Sequence, residues 1–372
     1  MKRQIIKERL MTTTRAALRR GGFTLVELMV SIGLTLFIMV IIVEAFTMSM
    51  DSFQGFRAVG ELTTQVRGAL YLMRTDLAQS HLEASRRTSD LGFWESPRRE
   101  GFFVVRQGST PSTTSATYRD EGVDLDGVNR SYIATDHVLH FANRLRGNRR
   151  DQFVIENVRS QTSTLATSQT MVPNLLRETN YIASTDGGLT SSQWSEVAYF
   201  LRPMVNQSGA PVMIAEPNAS GQPITLYNLY RTQLLVFPYT DTINTLYNYD
   251  AAVPTGAFNN VKMYSRAAAA GPNNKVQFYS PNDLAKGATT RSLDPAVPDI
   301  TRASLVATNV VSFQVRIIKI GDFGFEDLPG PFPATFDTAV PQNYRLGGVQ
   351  VILRIFDPST GLTRQGTLIQ DL

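Results

Sequence analysis

The feature that most constrains this chain is an apolar run near its N-terminus, preceded by a basic segment. Sixteen consecutive residues, Leu28 to Val43, carry no charge. With residues 23–26 the run approaches the roughly 20 residues that a membrane-spanning helix needs. Residues 1–22 hold seven basic side chains and one acidic one, and such a block stays cytoplasmic when the next segment inserts. The sequence therefore predicts a membrane-spanning helix with its N-terminus in the cytoplasm.

One carboxylate, that of Glu27, lies inside this apolar segment. A carboxylate near the centre of a bilayer costs about 3 kcal/mol, so its presence requires a reason. Either Glu27 lies close enough to the cytoplasmic surface to stay hydrated, or it meets a cation inside an assembly. We favour the second interpretation, because a hydrophobic anchor alone does not need a carboxylate.

Residues 22–28, Gly-Phe-Thr-Leu-Val-Glu-Leu, resemble the prepilin motif of type IV pilins and type II secretion pseudopilins. The resemblance implies that a membrane aspartyl peptidase cleaves after Gly22 and then methylates the new N-terminus, Phe23. It also implies that Glu27 faces the N-terminal amine of a neighbouring subunit during assembly. A secretory signal peptide is instead cleaved after its apolar run, at a small-residue site, and no convincing site of that kind follows Val43.

Apolar residues continue beyond the membrane segment at steps of three and four, which is the period of an amphipathic helix. They are Val59, Leu62, Val66, Ala69, Leu70, Met73 and Leu77. This pattern predicts one helix from Phe23 to about Leu82, with its first half in lipid or a filament core and its second half packed on a sheet. Residues 70–77, LYLMRTDL, resemble the end of the long helix in J-type minor pseudopilins and W-type minor pilins.

The remainder of the chain has the character of a β-rich head. Short runs rich in Val, Ile, Phe and Tyr predict strands. These runs are 101–106, 132–142, 152–158, 196–201, 227–237, 276–279, 305–320, 348–356 and 363–368. Alternating apolar residues from Val349 to Ile355, with a turn at 357–361, predict a final hairpin that resembles the closing strands of the J-type fold. Residues 107–130 and 323–333 are predicted loops.

These elements predict an α+β chain in four parts. Residues 1–22 form a basic leader that is cleaved, 23–46 a transmembrane or filament-core helix, and 47–85 its amphipathic continuation. Residues 86–372 form a periplasmic, antiparallel β-rich head like that of pilins. A loop-rich insertion at about 239–298 carries five prolines together with Asn and Gly clusters.

Composition argues against nucleic acid as a partner. The sequence pI is near 9.3, with 36 basic and 32 acidic residues. Without the leader 29 basic and 31 acidic residues remain, so the predicted mature protein has no excess of positive charge to attract phosphates. The chain has no cysteine, which excludes disulfides and cysteine-bound metals.

The few residues with catalytic or metal-binding chemistry are better explained as structural. His137 and His140 are three residues apart on one predicted strand, so they face opposite sides and are poor co-ligands. Residues 120–127, with four carboxylates, resemble half of a calcium loop but lack its closing glutamate; a solvated acidic loop is the favoured interpretation. No nucleophile elbow, zinc-protease motif or phosphate loop occurs.

Two further groups of residues allow a binding role beside a structural one. The aromatic residues either line a binding surface or, as we favour, pack in the core; they are Trp94, Trp194, Tyr199, Tyr227 and Tyr230. The arginines at 144, 146, 149 and 150 form a cationic patch around a Gly-Asn pair. This patch is either a solvated turn or a docking site for an acidic partner subunit.

The sequence and its resemblances together predict a minor pseudopilin or minor pilin of a type II secretion or type IV pilus system. Such a protein is a structural subunit that initiates or caps a helical filament, not an enzyme, and it needs no cofactor or metal. Its partners would be a prepilin peptidase and N-methyltransferase, other pilin subunits and inner-membrane lipid. The alternative is a binding module or hydrolase that uses a pilin-like membrane anchor.

Overall fold

The computed structural model describes residue 24 onward, except for several internal stretches. Those stretches are 84–85, 97–98, 110–117, 121–131, 148, 150–151, 158–188, 215–222, 237–278, 288–290 and 292–302. The chain divides into two compact units, Met1–Phe56 and Arg57–Leu372. The fold class is α+β, with one long N-terminal helix and a region rich in antiparallel sheet.

The long helix, α1, spans Leu25–Leu77, so the single helix predicted for 23–82 is confirmed with slightly shorter ends. Three of its last four carbonyls, which have no partner within an ideal helix, accept hydrogen bonds. The amides of Ala78 and Gln79 donate to Arg74 and Asp76 at 2.9 and 3.2 Å. The Gln79 side chain donates to Thr75, and the ring of His81 contacts the Leu77 carbonyl at 3.1 Å. The neutral His81 ring has one N–H, so it donates either to the Leu77 carbonyl or to the Ala142 carbonyl.

The strands follow in chain order. They are β1 (Phe103–Gln107), β2 (Tyr118–Asp120), β3 (Tyr132–Ala134), β4 (Val138–Arg144), β5 (Val154–Asn157), β6 (Leu189–Ser192), β7 (Trp194–Pro203), β8 (Met213–Ile214), β9 (Ile224–Thr225), β10 (Tyr227–Val236), β11 (Ala303–Lys319), β12 (Ala334–Asp337), β13 (Leu346–Asp357) and β14 (Leu362–Asp371). A four-residue helix, α2 (Pro281–Leu284), lies between β10 and β11.

Eight of these strands form one sheet in the order β12-β1-β4-β7-β10-β11-β13-β14. Every neighbouring pair is antiparallel, which confirms the antiparallel β-rich character predicted for this region. The predicted final hairpin is also present: β13 and β14 pair along ten residues, and the Gly361 amide closes the turn on Asp357 at 2.9 Å. The run 132–142 is two strands instead of one, because the chain leaves β3 before it enters β4.

One face of the sheet is covered by the second half of α1. The helix contributes Leu62, Val66, Ala69, Met73 and Leu77, all buried. They pack against sheet residues that include Phe103, Val105, Leu139, Phe141, Val197, Tyr199, Leu229, Phe313, Val315, Val351, Leu353 and Leu368. Burial of each Val, Leu, Phe or Met side chain among them contributes about 1.5–3 kcal/mol. The amphipathic period read from the sequence thus identifies the face of α1 that contacts the sheet.

The opposite face of the sheet is covered in part by residues 279–287 and Arg291. Tyr279 and Leu284 are buried with Phe102, Val104 and Trp194. Arg291 forms a buried ion pair with Asp337 at 2.8 and 2.9 Å and lies 4.0 Å from the centre of the Phe102 ring. The predicted insertion at 239–298 therefore includes a segment that packs on the sheet. The rest of it lies mostly outside the described residues.

Candidate functional site

The first turn of α1 places Glu27 in a reciprocal cap with Thr24. The Glu27 amide donates to the Thr24 hydroxyl at 3.3 Å, while the Thr24 amide donates to Glu27 Oε2 at 3.0 Å. The Thr24 hydroxyl also contacts Oε2 at 3.0 Å. This arrangement is a capping box, in which each residue satisfies a free group of the other at the helix start. The prediction that Glu27 acts in assembly is not tested by this contact, which uses one carboxylate oxygen.

The polar side chains that follow Glu27 bond to their own helix. The Ser31 hydroxyl donates to the Glu27 carbonyl at 2.8 Å, and the Thr35 hydroxyl donates to the Ser31 carbonyl at 2.7 Å. Hydroxyls paired in this way add little cost in an apolar environment. The large apolar side chains from Leu25 to Phe56 are exposed within the chain. This helix is long and apolar enough to span a membrane, with a mean hydropathy of 2.6 in its most apolar window.

The two residues of the predicted processing site, Gly22 and Phe23, lie outside the described residues. Thr24, the first described residue, follows them directly. The predicted cleavage and methylation therefore remain predictions from the motif.

At the other end of α1 a buried carboxylate connects the helix to the centre of the sheet. Asp76 accepts two hydrogen bonds from the Arg231 guanidinium, at 2.7 Å to Oδ2 and 2.9 Å to Oδ1. The Tyr199 hydroxyl donates to the same Oδ2 at 2.5 Å. Arg231 lies on β10 and Tyr199 on β7, so one side chain of the helix contacts two neighbouring strands. We call Asp76, Tyr199 and Arg231 the Asp76 cluster.

Two groups of the Asp76 cluster, the Tyr199 hydroxyl and the Arg231 guanidinium, have raised pKa values. Burial raises the pKa of Tyr199 above its usual range, and the charge of Asp76 raises it further. Burial alone would lower the pKa of Arg231, but its hydrogen bonds to Asp76 and the negative charge of Asp76 raise it overall. Tyr199 therefore stays a neutral donor and Arg231 stays charged at physiological pH.

The three histidines lie in separate buried environments. His140 Nε2 is 2.9 Å from Glu196 Oε1, and His137 Nδ1 accepts from the Val315 amide at 3.0 Å. His81 Nδ1 lies 2.9 Å from the Ala142 carbonyl. Burial lowers the pKa of each ring. His137 and His140 thus have different partners, as expected for structural residues.

Among the residues that the structure describes, no group of His, Cys, Asp and Glu could hold a metal ion. The predicted half calcium loop lies almost wholly outside them: of its carboxylate residues only Asp120 is described, as the last residue of β2.

The predicted aromatic group divides between core and partly exposed positions. Tyr199 and Trp194 are buried. Trp94 is half-buried and donates through its ring nitrogen to the Tyr344 carbonyl at 2.9 Å. Tyr227 and Tyr230 are also half-buried, and each packs against a buried cluster of the sheet.

The arginines of the predicted cationic patch differ in their surroundings. The Arg144 guanidinium lies 5.2 Å from the centre of the Trp194 ring and 3.8 Å from the Glu100 carboxylate. Arg146 and Arg149 are exposed, whereas Arg150 lies outside the described residues. Arg146 turns towards a cleft of about 420 Å³ beside the end of α1.

The Thr24–Glu27 cap and the Asp76 cluster differ in how well they could be predicted from the sequence. The Thr24–Glu27 cap has a local signal, because a T-x-x-E pattern ahead of an apolar run is typical of a capping box. The Asp76 cluster joins residues 123 and 155 positions apart and has no local signal.

Comparisons with protein-family models, with curated proteins and with solved structures each found no match to this chain. The structure itself defines the chain as an α+β protein, with one long apolar N-terminal helix and a head built on an antiparallel sheet.

Proposed function

We propose that this chain is a minor pilin or pseudopilin, a structural subunit that initiates or caps a filament of a type IV pilus or type II secretion system. A prepilin peptidase would cleave between Gly22 and Phe23 and methylate Phe23. The helix would then pass from the inner membrane into the filament, with the head in the periplasm.

The observation that carries the proposal is the division of α1 into two chemically different parts. Its apolar side chains before Arg57 are uncovered, whereas residues from Leu62 onward pack on the sheet. An uncovered apolar helix requires lipid or other helices around it. A basic leader ending in Gly22 and a carboxylate at Glu27 add the two features that the prepilin motif requires.

The packing of α1 on the sheet also supports a pilin-like head. In that family the second half of the long helix packs against an antiparallel sheet, and here α1 does so through its buried stripe and the Asp76 cluster. The Asp76 cluster attaches the helix to β7 and β10, so a force on the helix would be transmitted to the sheet.

The Glu27 carboxylate could still bind a group of another subunit. Its Oε2 accepts from Thr24, and its Oε1 has no hydrogen bond with the described residues. Cleavage at Gly22 would create an α-amine on Phe23, with an unperturbed pKa near 8 and hence a positive charge at neutral pH. The amine of a neighbouring subunit is the cation that we propose for Glu27.

Mass spectrometry of the protein from its native host tests the proposal. We expect a mature N-terminal peptide that begins at N-methylated Phe23. Gly22→Val should leave the leader attached, and Gly21→Val, the same change one residue earlier, is the control that should still be processed. A mature protein that begins after Val43, or one that retains residues 1–22 in the wild type, would refute the proposal.

A further inference from the structure

One edge of the eight-stranded sheet is formed by β14, which has ten residues, whereas the strand at the other edge, β12, has only four. Natural proteins protect long edges with charged residues, proline or a bulge. β14 carries Arg364 and Asp371, but it has no proline or lysine and pairs with β13 without a register shift. Leu362 and Ile369 are 40% and 51% exposed. The strand is therefore accessible near both of its ends.

Half of the backbone groups of β14 point away from the sheet, because successive residues of a strand face β13 and the open side in turn. The Leu372 amide, just after β14, donates to the Gly347 carbonyl at 3.1 Å, which places the even-numbered residues on the β13 side. Residues 363, 365, 367 and 369 therefore direct their amides and carbonyls outwards. These groups have no hydrogen-bond partner among the residues that the structure describes. The edge thus offers donors and acceptors at the spacing of a strand.

This open edge lies beside one flank of α1. Gly366 packs beneath Val66 and Leu70, and a Cβ on Gly366 would lie 2.6 Å from Leu70 Cδ1. Gln65, on the other flank of the helix, donates to the Thr308 hydroxyl of β11 at 3.1 Å. The Leu70 flank of α1 is therefore the one that faces the edge. A strand added to β14 would place alternate side chains beside this flank.

Exposed arginines surround that position. Arg67 and Arg74 are three residues before and four residues after Leu70, so they share its flank of the helix. Arg364 is two residues before Gly366, so it points to the same face of the sheet. None of the three arginines makes a hydrogen bond or ion pair with the described residues.

The carboxylates of the hairpin lie beyond the two ends of this stretch. Asp357, before β14, accepts hydrogen bonds from Ser359 and Thr360 within the turn. Asp371 and the carboxylate of Leu372 follow the last open residue, Ile369. Residues 363–370 of β14 include no acidic side chain. Between the two ends, β14 and the facing flank of α1 carry three arginines and no carboxylate.

We propose that β14 binds an extended segment of a partner protein, which joins the sheet as a further strand and carries carboxylates on the side that faces α1. Main-chain hydrogen bonds to residues 363–369 would hold the segment, and the arginines would select its acidic side chains. Guanidinium groups suit this role, because their planar donors match a carboxylate in pairs. The proposal goes beyond filament assembly, because it requires neither cleavage at Gly22 nor the amine of Phe23.

The test uses the full chain in nanodiscs of neutral lipid and a fluorescein-labelled heptapeptide of alternating valine and glutamate. As a strand, this peptide has all its glutamates on one side. We expect saturable binding by fluorescence anisotropy, about fivefold tighter than for the same peptide with glutamine in place of glutamate. Hydrogen–deuterium exchange, measured by mass spectrometry, should slow in residues 362–371 when the glutamate peptide is added. Empty nanodiscs should bind neither peptide.

Two N-methylated forms of the peptide separate strand addition from attraction of charge alone, including attraction to the basic residues 1–22. Methyl groups on the valine amides block one edge of the peptide strand, and methyl groups on the glutamate amides block the other. Only one edge can pair with β14, so one form should bind at least about tenfold more weakly, while the other should bind like the unmodified peptide. Equal binding of all three peptides would overturn the proposal.

Variants of the chain locate the site. Thr367→Pro removes an outward amide at the middle of the open edge and no bond to β13, so it should abolish binding with little change in the urea midpoint. Arg67→Gln combined with Arg364→Gln should weaken binding of the glutamate peptide about fivefold. Arg57→Gln combined with Arg149→Gln removes as much charge from exposed sites away from this edge, and it should leave binding unchanged.

Three results would overturn the proposal: no saturable binding, unchanged binding to a folded Thr367→Pro chain, or equal effects of the two arginine pairs. If Thr367→Pro unfolds the head, the methylated peptides still decide the question. Concentration-dependent association of the chain that Thr367→Pro abolishes, without binding of the peptide, would assign the edge to a second copy and would also overturn the proposal.

Discussion

Asp76→Ala removes the carboxylate of the Asp76 cluster, through which the end of α1 is bonded to β7 and β10 in the middle of the sheet. The Arg231 side chain, 15% exposed, would lose both bonds to that carboxylate, and the Tyr199 hydroxyl would lose its acceptor. Breaking a buried ion pair by removing one partner costs about 3–5 kcal/mol, because the other charge stays buried. Arg231 keeps its bond to Gln233 at 2.8 Å, so we expect a loss of about 4 kcal/mol in the free energy of unfolding.

Urea unfolding of the full chain in detergent, followed by tryptophan fluorescence, measures this loss. Both tryptophans, Trp94 and Trp194, belong to the unit Arg57–Leu372, so the signal reports on that unit. With an m-value of about 3 kcal/mol/M, a loss of 4 kcal/mol lowers the urea midpoint by about 1.3 M. Glu61→Ala is the matched control on the same helix. Its pair with Arg57 is 82% and 67% exposed and should contribute less than about 1 kcal/mol.

A double-mutant cycle separates the pair from the loss of one side chain. Arg231→Met with Asp76→Ala removes both charges and should cost at least about 2 kcal/mol less than the sum of the two single changes. If Asp76→Ala costs no more than Glu61→Ala, the Asp76 cluster does not hold the helix to the sheet.

Three further predictions follow from other contacts. Gly366→Val should destabilise the head by about 1–3 kcal/mol in the same unfolding assay. A Cβ at this position would overlap Val66 and would lie 2.6 Å from Leu70 Cδ1. Gly324→Val is the neutral control, because a Cβ there meets nothing within 4 Å. Burial lowers the pKa values of His81, His137 and His140, so the unfolded chain binds more protons near pH 6 than the folded chain does. The free energy of unfolding should therefore fall as the pH drops below about 6.5, by up to about 1.4 kcal/mol per pH unit for each ring. A urea midpoint that stays constant from pH 7.5 to 5 would contradict this. Glu27→Gln and Glu27→Leu should both be processed but be recovered poorly in assembled filaments from the native host, and wild-type recovery of both would exclude a role for the charge.

The elements that the sequence predicted well are those with a strong local period. The step of three and four residues from Leu62 to Leu77 identified the buried face of α1, and the alternation from Val349 to Ile355 identified β13. Such periods are properties of neighbouring residues, so no knowledge of the rest of the fold is needed. The hairpin β13–β14 was also predictable from local sequence, because a turn-forming segment follows β13 and Gly361 adopts the positive φ of 70° within it.

The order of strands in the sheet and the interior polar contacts could not be predicted in this way. β12 pairs with β1 although the two strands lie at opposite ends of the head sequence, whereas the other strands of this sheet follow chain order. Asp76 meets Arg231 only because β10 is placed beneath the end of α1. In the sequence Asp76 reads as an ordinary solvated residue of a helix end. Its burial is a consequence of tertiary packing, which no helical period encodes.

The cap at the start of α1 bears on how Glu27 could act in an assembly. Thr24 holds Oε2 through its amide and its hydroxyl, so the carboxylate is oriented before any partner arrives. An oriented acceptor loses less side-chain entropy when a cation binds it, and a buried ion pair needs good geometry to offset desolvation. Glutamine preserves the capping oxygen but not the charge, whereas leucine removes both. Poor assembly of both variants would therefore assign the effect to the charge. Poor assembly of Glu27→Leu alone would assign it to the cap, and the Thr24–Glu27 contact would then explain the carboxylate without a neighbouring amine.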